Sequence, residues 1–534
     1  MVVGGCLLGV GAAQAQDVVT LRDIFAIETV QTGMAFPSSI AFAPAPDDRI
    51  FYVERFTGNI RIIENGVLLP APFANVPDIA TAGEQGLLTI TLDPNFAANG
   101  FVYVYYTQVA GPPVPIEPTW RSIQDQVFSA RCASCHVNPS APAGLSLVES
   151  DSYAALVGVA STQVPALERV EVGNPDDSYL VRKIEDHPSI VGQAMPPTGA
   201  LLDPDIMLAV RDWITAGAPY NPGDPSNPPQ VFRNRILRFT AVGDTGTNPT
   251  IVLDDIPAGF IHNGGSIEFA HDGTLIVQVG EHGDGNAAQS LGTLAGKILR
   301  INADGSIPLD NPFVGVPGAR EEIYSYGNRN GFGIAPDPID FFSPPRVYVS
   351  ENGPGNNDEL NIIESGGGDN FGWPFVTGIV GNPSYTDPIF AWNPVTAPTG
   401  IIRYSGGVYH PSYDGNLFVS LYNLRELVLF SGDFTAVISR FELTPDGSSL
   451  VRASDLMVAR FPGNPRPIEL TQGPDGLVYF TMVNVSTSDG TLYRIVKTDD
   501  DDDGCGNASD PAPGVFSADG DGDSYGADCD CDDA

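Results

Sequence analysis

Five residues, Cys132-Ala133-Ser134-Cys135-His136, carry the most explicit chemistry in this chain. Two thiols in C-x-x-C spacing followed at once by an imidazole form the attachment pattern of a c-type haem. The thiols of Cys132 and Cys135 take the porphyrin vinyl groups, and His136 reaches the iron from one face. The other face needs a second ligand, and Met195 in Gly192-Gln193-Ala194-Met195-Pro196-Pro197 is placed to supply it, with His187 and Met207 as rivals. A thioether there raises the potential of the iron and suits electron transfer rather than oxygen chemistry. A structural zinc site would need two more Cys or His nearby, and only His187 falls within the next hundred residues. A thiol–disulfide motif would sit beside a βαβ pattern, which is absent.

The elements around this motif are of another kind. A phrase of apolar residues, a turn and a strongly β-prone run recurs, starting near positions 39, 86, 265, 331, 407 and 468. Its runs include Ile50-Phe51-Tyr52-Val53, Phe101-Val102-Tyr103-Val104-Tyr105, Leu275-Ile276-Val277, Val347-Tyr348-Val349, Leu417-Phe418-Val419 and Leu477-Val478-Tyr479-Phe480. One interval is far too long, and removing roughly 108–229 brings it into line with the rest. The pattern predicts a mainly β fold: a six-bladed β-propeller, split as 17–107 and 230–497, with a small domain inserted into one blade. The insert turns helical around Ile206–Ile214, has Gly217 as a stop signal, and is flanked by proline-rich linkers. With the C-x-x-C-H run inside it, it reads as a small α-helical cytochrome c.

Polar residues cluster where the propeller strands should emerge on one face: Gln85, His262, Arg329-Asn330, Asn352-Gly353-Pro354 and Asp358-Glu359. Taken in order, Glu84-Gln85-Gly86-Leu87-Leu88, His262-Asn263-Gly264-Gly265, Gly296-Lys297-Ile298-Leu299-Arg300, Tyr326-Gly327-Asn328-Arg329-Asn330, Glu351-Asn352-Gly353-Pro354 and Asn370-Phe371-Gly372-Trp373-Pro374 resemble the soluble glucose/sorbosone dehydrogenase family. The resemblance runs from about Ile27 to Val496, insert excepted. It implies a propeller that oxidises sugars with pyrroloquinoline quinone (PQQ) and calcium. By that resemblance His262 would be the general base for the anomeric hydroxyl and Arg329 would polarise the quinone carbonyl that accepts hydride. Carbonyls of Gly353 and Pro354 would hold Ca²⁺, Gln85 the sugar, and Asn330 and Asn352 the cofactor. Two departures stand out. Ile261 occupies the place of an Asp that precedes the catalytic His in well-studied members. The late cations that PQQ's three carboxylates call for reduce to Arg425 and Arg466, with Ile468 where the second of an Arg pair would fall. Trp373 reads as blade core. The insert separately resembles small cytochromes of environmental bacteria.

Composition narrows the class. A net charge of −39 over 534 residues repels phosphate backbones, so nucleic acid is excluded as a partner. Residues 1–16 are short and apolar and end in Ala13-Gln14-Ala15, which suits a cleaved signal peptide, although a positive flank is missing; Cys6 is an alternative lipid-attachment site. No later stretch is apolar enough to span a bilayer. Periplasmic or secreted placement follows, which also suits c-type haem. Residues 498–534 hold thirteen aspartates and no Lys or Arg. The alternation Asp519-Gly520-Asp521-Gly522-Asp523 matches calcium-loop spacing without the terminal Glu of an EF-hand, and Cys505, Cys529 and Cys531 could form one disulfide. The expectation is a quinohaemoprotein dehydrogenase. It would oxidise an aldose or related hydroxyl compound at PQQ and pass electrons through haem c to an external acceptor such as a soluble cytochrome or quinone. Two alternatives are a cofactor-free propeller that binds a glycan or protein, and a surface electron conduit anchored by the tail.

Overall fold

A computed structural model describes residues 25–110, 116–132, 136, 142–147, 151–195, 202–221, 231–339, 343–423, 434–461, 465–485 and 487–498. The leader, Cys135, Arg425 and the aspartate-rich tail with Asp519, Asp521 and Asp523 lie outside them.

Six antiparallel sheets, five of four strands and one of five, form the blades. Their innermost strands are Pro37–Phe42, Leu87–Leu92, Gly264–Phe269, Gly331–Pro336, Pro398–Arg403 and Pro465–Gln472. The second strand of each blade is apolar on both faces; Ile50–Glu54, Thr274–Val279, Val347–Glu351 and Leu417–Leu421 are buried throughout. Such runs do not alternate because neighbouring blades cover both sides. Aromatic side chains fill the wedges between blades, as where Phe51 meets Phe73 and Phe96 edge to face at 5.3 and 5.7 Å. Each fully buried side chain of this size contributes about 1.5–3 kcal/mol. The ring closes when Phe25–Ala35 pairs antiparallel with Asp489–Lys497, from Phe25 against Lys497 to Ala35 against Asp489, so the start of the propeller completes its last blade as the outermost strand.

The fifth recurring phrase, expected from position 407, proves to be the second strand of its blade. The inner strand is Pro398–Arg403, and a long connection through Tyr404–Asn416 separates the two. A tight-turn template places that start late.

The insert leaves the second blade after the strand Phe101–Ala110 and returns at the strand Val231–Val242, within three residues of the expected bounds 108–229 at either end. These two strands are paired neighbours, with Ala110 opposite Val231. Between them the described residues are helical: Trp120–Ile123 running on into Gln124–Cys132, then Ser152–Leu156, Tyr179–Ile184 and Pro204–Thr215. Thr119 caps the first, its hydroxyl accepting from Ser122 N–H. The insert has its own core, in which Trp120, Phe128, Leu156, Val181, Val210, Trp213 and Ile214 are buried and the two indoles lie 5.4 Å apart.

Candidate functional sites

The first site forms where chain segments enter the inner strands. His262 immediately precedes Gly264–Phe269 and holds φ of 54°, a left-handed conformation costly for a residue with a Cβ. Two contacts hold it there. Its N–H donates to Glu84 Oε2 at 2.6 Å, and its carbonyl accepts from His282 N–H at 3.0 Å. Gly280 must be glycine beside it, since a Cβ would come within 2.1 Å of the His262 carbonyl oxygen. Nδ1 of His262 meets both oxygens of Glu281, at 2.9 and 2.8 Å, and Glu281 is buried. The carboxylate accepts, so Nδ1 carries the hydrogen and Nε2 keeps its lone pair. Glu281 thus does the orienting work expected of the Asp that Ile261 replaces. It sits just past the strand Thr274–Val279, far from His262 in sequence, and only the pairing of that strand with Gly264–Phe269 brings the two together.

Arg329 and Asn330 precede the next inner strand. The Arg329 N–H donates to Glu351, and its guanidinium donates to the carbonyls of Asn352 and Gly353 at 2.8 and 3.1 Å. Asp358 shapes that turn by accepting from the N–H groups of Gly353, Thr396 and Ala397. Burial raises the pKa of Glu351 and Glu359, and the charge of Glu359 pushes Glu351 further the same way. Asn330 bridges to the His262 side by donating to Glu84 Oε2 at 3.0 Å and accepting from Gly264 N–H.

Two expectations change. Gln85 is fully buried, its amide N–H donating to Gly259 O and its amide oxygen accepting from Ala82 N–H, so it builds the loop rather than facing open space. Its neighbour Glu84 faces His262 and Asn330 instead, a one-residue difference within a turn. Trp373 is not core. It is half-buried, with its ring 5.4 Å from the Arg329 guanidinium and its indole N–H without a partner. Arg55 was missed altogether. Its guanidinium donates to the carbonyls of Gly83 and Gln85, fixing the loop that carries Glu84, and its charge reaches Glu84 and Tyr422. Arg466 donates to the Tyr422 carbonyl at 3.0 Å and lies over its ring. Arg55 and Arg466 thus meet at Tyr422, and Arg55 also fixes the loop whose Glu84 bonds His262.

This arrangement has polar capacity that a bound cofactor such as PQQ could meet. The carbonyl of Gly353, one of the two expected to hold calcium, already faces a cation, the Arg329 guanidinium. Asn352 Oδ1 and Arg329 Nε are buried beside it without a partner, unmet polar capacity of the kind a bound group satisfies.

The second site is an apolar cavity of about 230 Å³ inside the insert. Cys132, His136 and Met195 all line it, with Leu145, Leu156 and Leu202 among the apolar walls. His136 is buried, and its Nδ1 lies 2.9 Å from the Leu145 carbonyl, which can only accept. Nε2 is left as a free donor of electrons, and burial outweighs the hydrogen bond to Leu145, lowering the pKa of the ring and favouring its neutral form. The rivals for the second axial position do not line the cavity. His187 is exposed and bonds to Ser189, and Met207 packs against the insert core.

A six-bladed propeller with an imidazole–carboxylate pair, an arginine and a carbonyl-lined turn at the entrance to its inner strands defines a known class of fold and site. The chain belongs to the Glucose / Sorbosone dehydrogenase family, whose model matches residues 34–119 and 225–494. Aldose sugar dehydrogenase YliI of Escherichia coli is 29% identical over 247 residues, covering 44% of this chain and 60% of that protein. Quinoprotein glucose dehydrogenase B of Acinetobacter calcoaceticus is 31% identical over 237 residues, 40% and 47% of the two chains. The chain thus spans between about half and two thirds of the curated relatives it matches. The PQQ-bound aldose sugar dehydrogenase of Streptomyces coelicolor shares the fold at a TM-score of 0.53 and 22% identity, over 89% of this chain and 98% of that one.

Proposed function

We propose that this protein is a PQQ-dependent dehydrogenase of aldoses or related hydroxyl compounds that passes its electrons to a c-type haem in its own insert. The observation that carries the first half is the His262–Glu281 pair set beside Arg329 in a member of this family. The names of the E. coli and Acinetobacter relatives support a sugar as substrate. When bound, PQQ would supply a two-electron acceptor for hydride.

The protein's residues supply the rest. Nε2 of His262 takes the proton of the substrate hydroxyl as its carbon gives up hydride, and Glu281 holds the ring in the correct tautomer and steadies the positive charge it gains. Arg329 places a fixed positive charge where negative charge grows on the acceptor. Its guanidinium, with Arg466, also answers the cofactor's carboxylates. Asn330 ties the His262 and Arg329 loops together through Glu84. The carbonyls of Gly353 and Pro354 would hold the Ca²⁺, with Asn352 beside them. For an aldose the C1 hydroxyl becomes a lactone carbonyl, releasing two protons and two electrons.

For the insert, the support is one cavity that brings Cys132, His136 and Met195 together. Cys132 and Cys135 would bind haem c covalently, His136 Nε2 and Met195 would be its axial ligands, and an external carrier would collect the electrons. Export to the periplasm or the medium is part of this proposal, and so is calcium binding at Asp519, Asp521 and Asp523. Activity with an artificial dye acceptor tests the dehydrogenase half. Oxidation of aldoses should require both PQQ and Ca²⁺ and disappear in His262→Ala; dye reduction without added cofactor, or unchanged in the variant, would refute it.

A further inference from the structure

Met195 sits on a segment with no regular structure, so something must hold its thioether at the cavity. We infer that Lys183 is the residue that does this: a buried ammonium positioning the axial methionine, an inference resting on the haem reading above. Lys183 lies on the helix Tyr179–Ile184, itself part of the cavity wall, and only 7% of it is exposed. Its Nζ donates to the carbonyls of Val191 and Gln193, at 2.8 and 2.6 Å, on the segment leading into Met195. Its own backbone carbonyl accepts from the Met195 N–H at 2.8 Å. One residue therefore grips 191, 193 and 195 together. Tyr179, one turn earlier, adds a fourth tie, its hydroxyl accepting from Val191 N–H at 3.0 Å.

A lysine is expensive to bury unless its ammonium is fully engaged, so its presence in a mostly apolar wall, alongside Arg169, needs a reason. Two carbonyls of the segment that carries Met195 provide one. Charge-assisted bonds of this kind are among the stronger hydrogen bonds a protein makes, enough to keep a short segment closed over the cavity. A positively charged group beside the site would also favour the reduced iron, whose charge is lower by one.

The test uses the full chain bearing Lys183→Leu and Lys183→Arg, loaded with haem. A covalent haem adduct by mass in the wild type establishes the haem reading on its own; its absence would refute that reading and this inference with it. With haem attached, Lys183→Leu should weaken the near-infrared sulfur-to-iron charge-transfer band and lower the midpoint potential. Added imidazole should displace Met195 with at least about tenfold tighter apparent binding, since each lost bond is worth roughly that factor. Lys183→Arg, which keeps the donors, should restore much of the band. If Lys183→Leu leaves the band, the potential and the imidazole affinity unchanged, Lys183 is only a packing residue. If Lys183→Leu loses the haem adduct, the arginine variant decides: a wild-type band there supports the inference, and its loss with a normal adduct contradicts it.

Discussion

The proposed base His262 and the carboxylate that orients it flank two different strands, Gly264–Phe269 and Thr274–Val279. His262 was visible because it sits in a short motif beside glycines, and Arg329 because of its Asn-Arg-Asn setting. Glu281 was hidden, since nothing local marks a glutamate nineteen positions later as the partner of an imidazole. The missing Asp at Ile261 was the one clue that a carboxylate had to arrive from elsewhere. If Glu281 orients His262, Glu281→Gln should lower kcat by about 10²-fold while KM changes little, because the amide can no longer accept Nδ1–H with full charge. Steady-state kinetics with the dye acceptor measure this directly. Glu84→Gln should act mainly on His262 placement, through its backbone contact, and an unchanged kcat there would show that Asn330 alone ties the two loops.

The inner strands have a consequence of their own. All six contribute to a central cavity of about 260 Å³, into which Glu268 and Glu469 both project among hydroxyls such as Ser39 and Thr89. Burial pushes the Glu469 carboxyl up to about 8, with the charge of Glu268 acting in the same direction, and Glu268 is raised as well. An acid whose folded pKa lies above its unfolded value keeps its proton in the native state while the unfolded chain has lost it. Stability is therefore highest below the ordinary carboxylate value and falls as pH rises from about 4.5 towards 8. Glu469→Gln should match the wild type near the acid end and exceed it by about 1–3 kcal/mol at the alkaline end. Urea denaturation across that range checks it; equal stability at every pH would mean that the carboxylate is solvated in the tunnel. At this scale the recurring apolar runs gave the blades readily, because inter-blade packing demands strands that are apolar on both faces. The tunnel was not legible, since it needs one residue from each of six distant strands.

For the molecule as a whole, the propeller and its insert are joined at one place, where two neighbouring strands of the second blade part and meet again. Ala110 and Val231 remain a cross-strand pair, so the blade needs only a hairpin turn between them. Replacing 111–230 by a short turn should leave a folded propeller whose sugar oxidation with a dye persists while its haem absorption vanishes. Circular dichroism and dye-linked assays would report both; an unfolded product would show that the insert is part of the propeller's stability. The insertion was legible from one anomalous interval in an otherwise regular repeat, and three of the residues lining its cavity from the C-x-x-C-H run plus Met195. Lys183 was not, because a lysine on a short helix looks like any solvated one until its carbonyl partners are known.

Electron flow within one chain, from a sugar to its own haem, can be followed by mixing the haem-loaded full chain anaerobically with PQQ, Ca²⁺ and an aldose and watching the haem bands. Haem reduction should require all three components, be independent of protein concentration as an internal transfer must be, and be lost in His262→Ala. Sugar oxidation with a dye while the haem stays oxidised would contradict it.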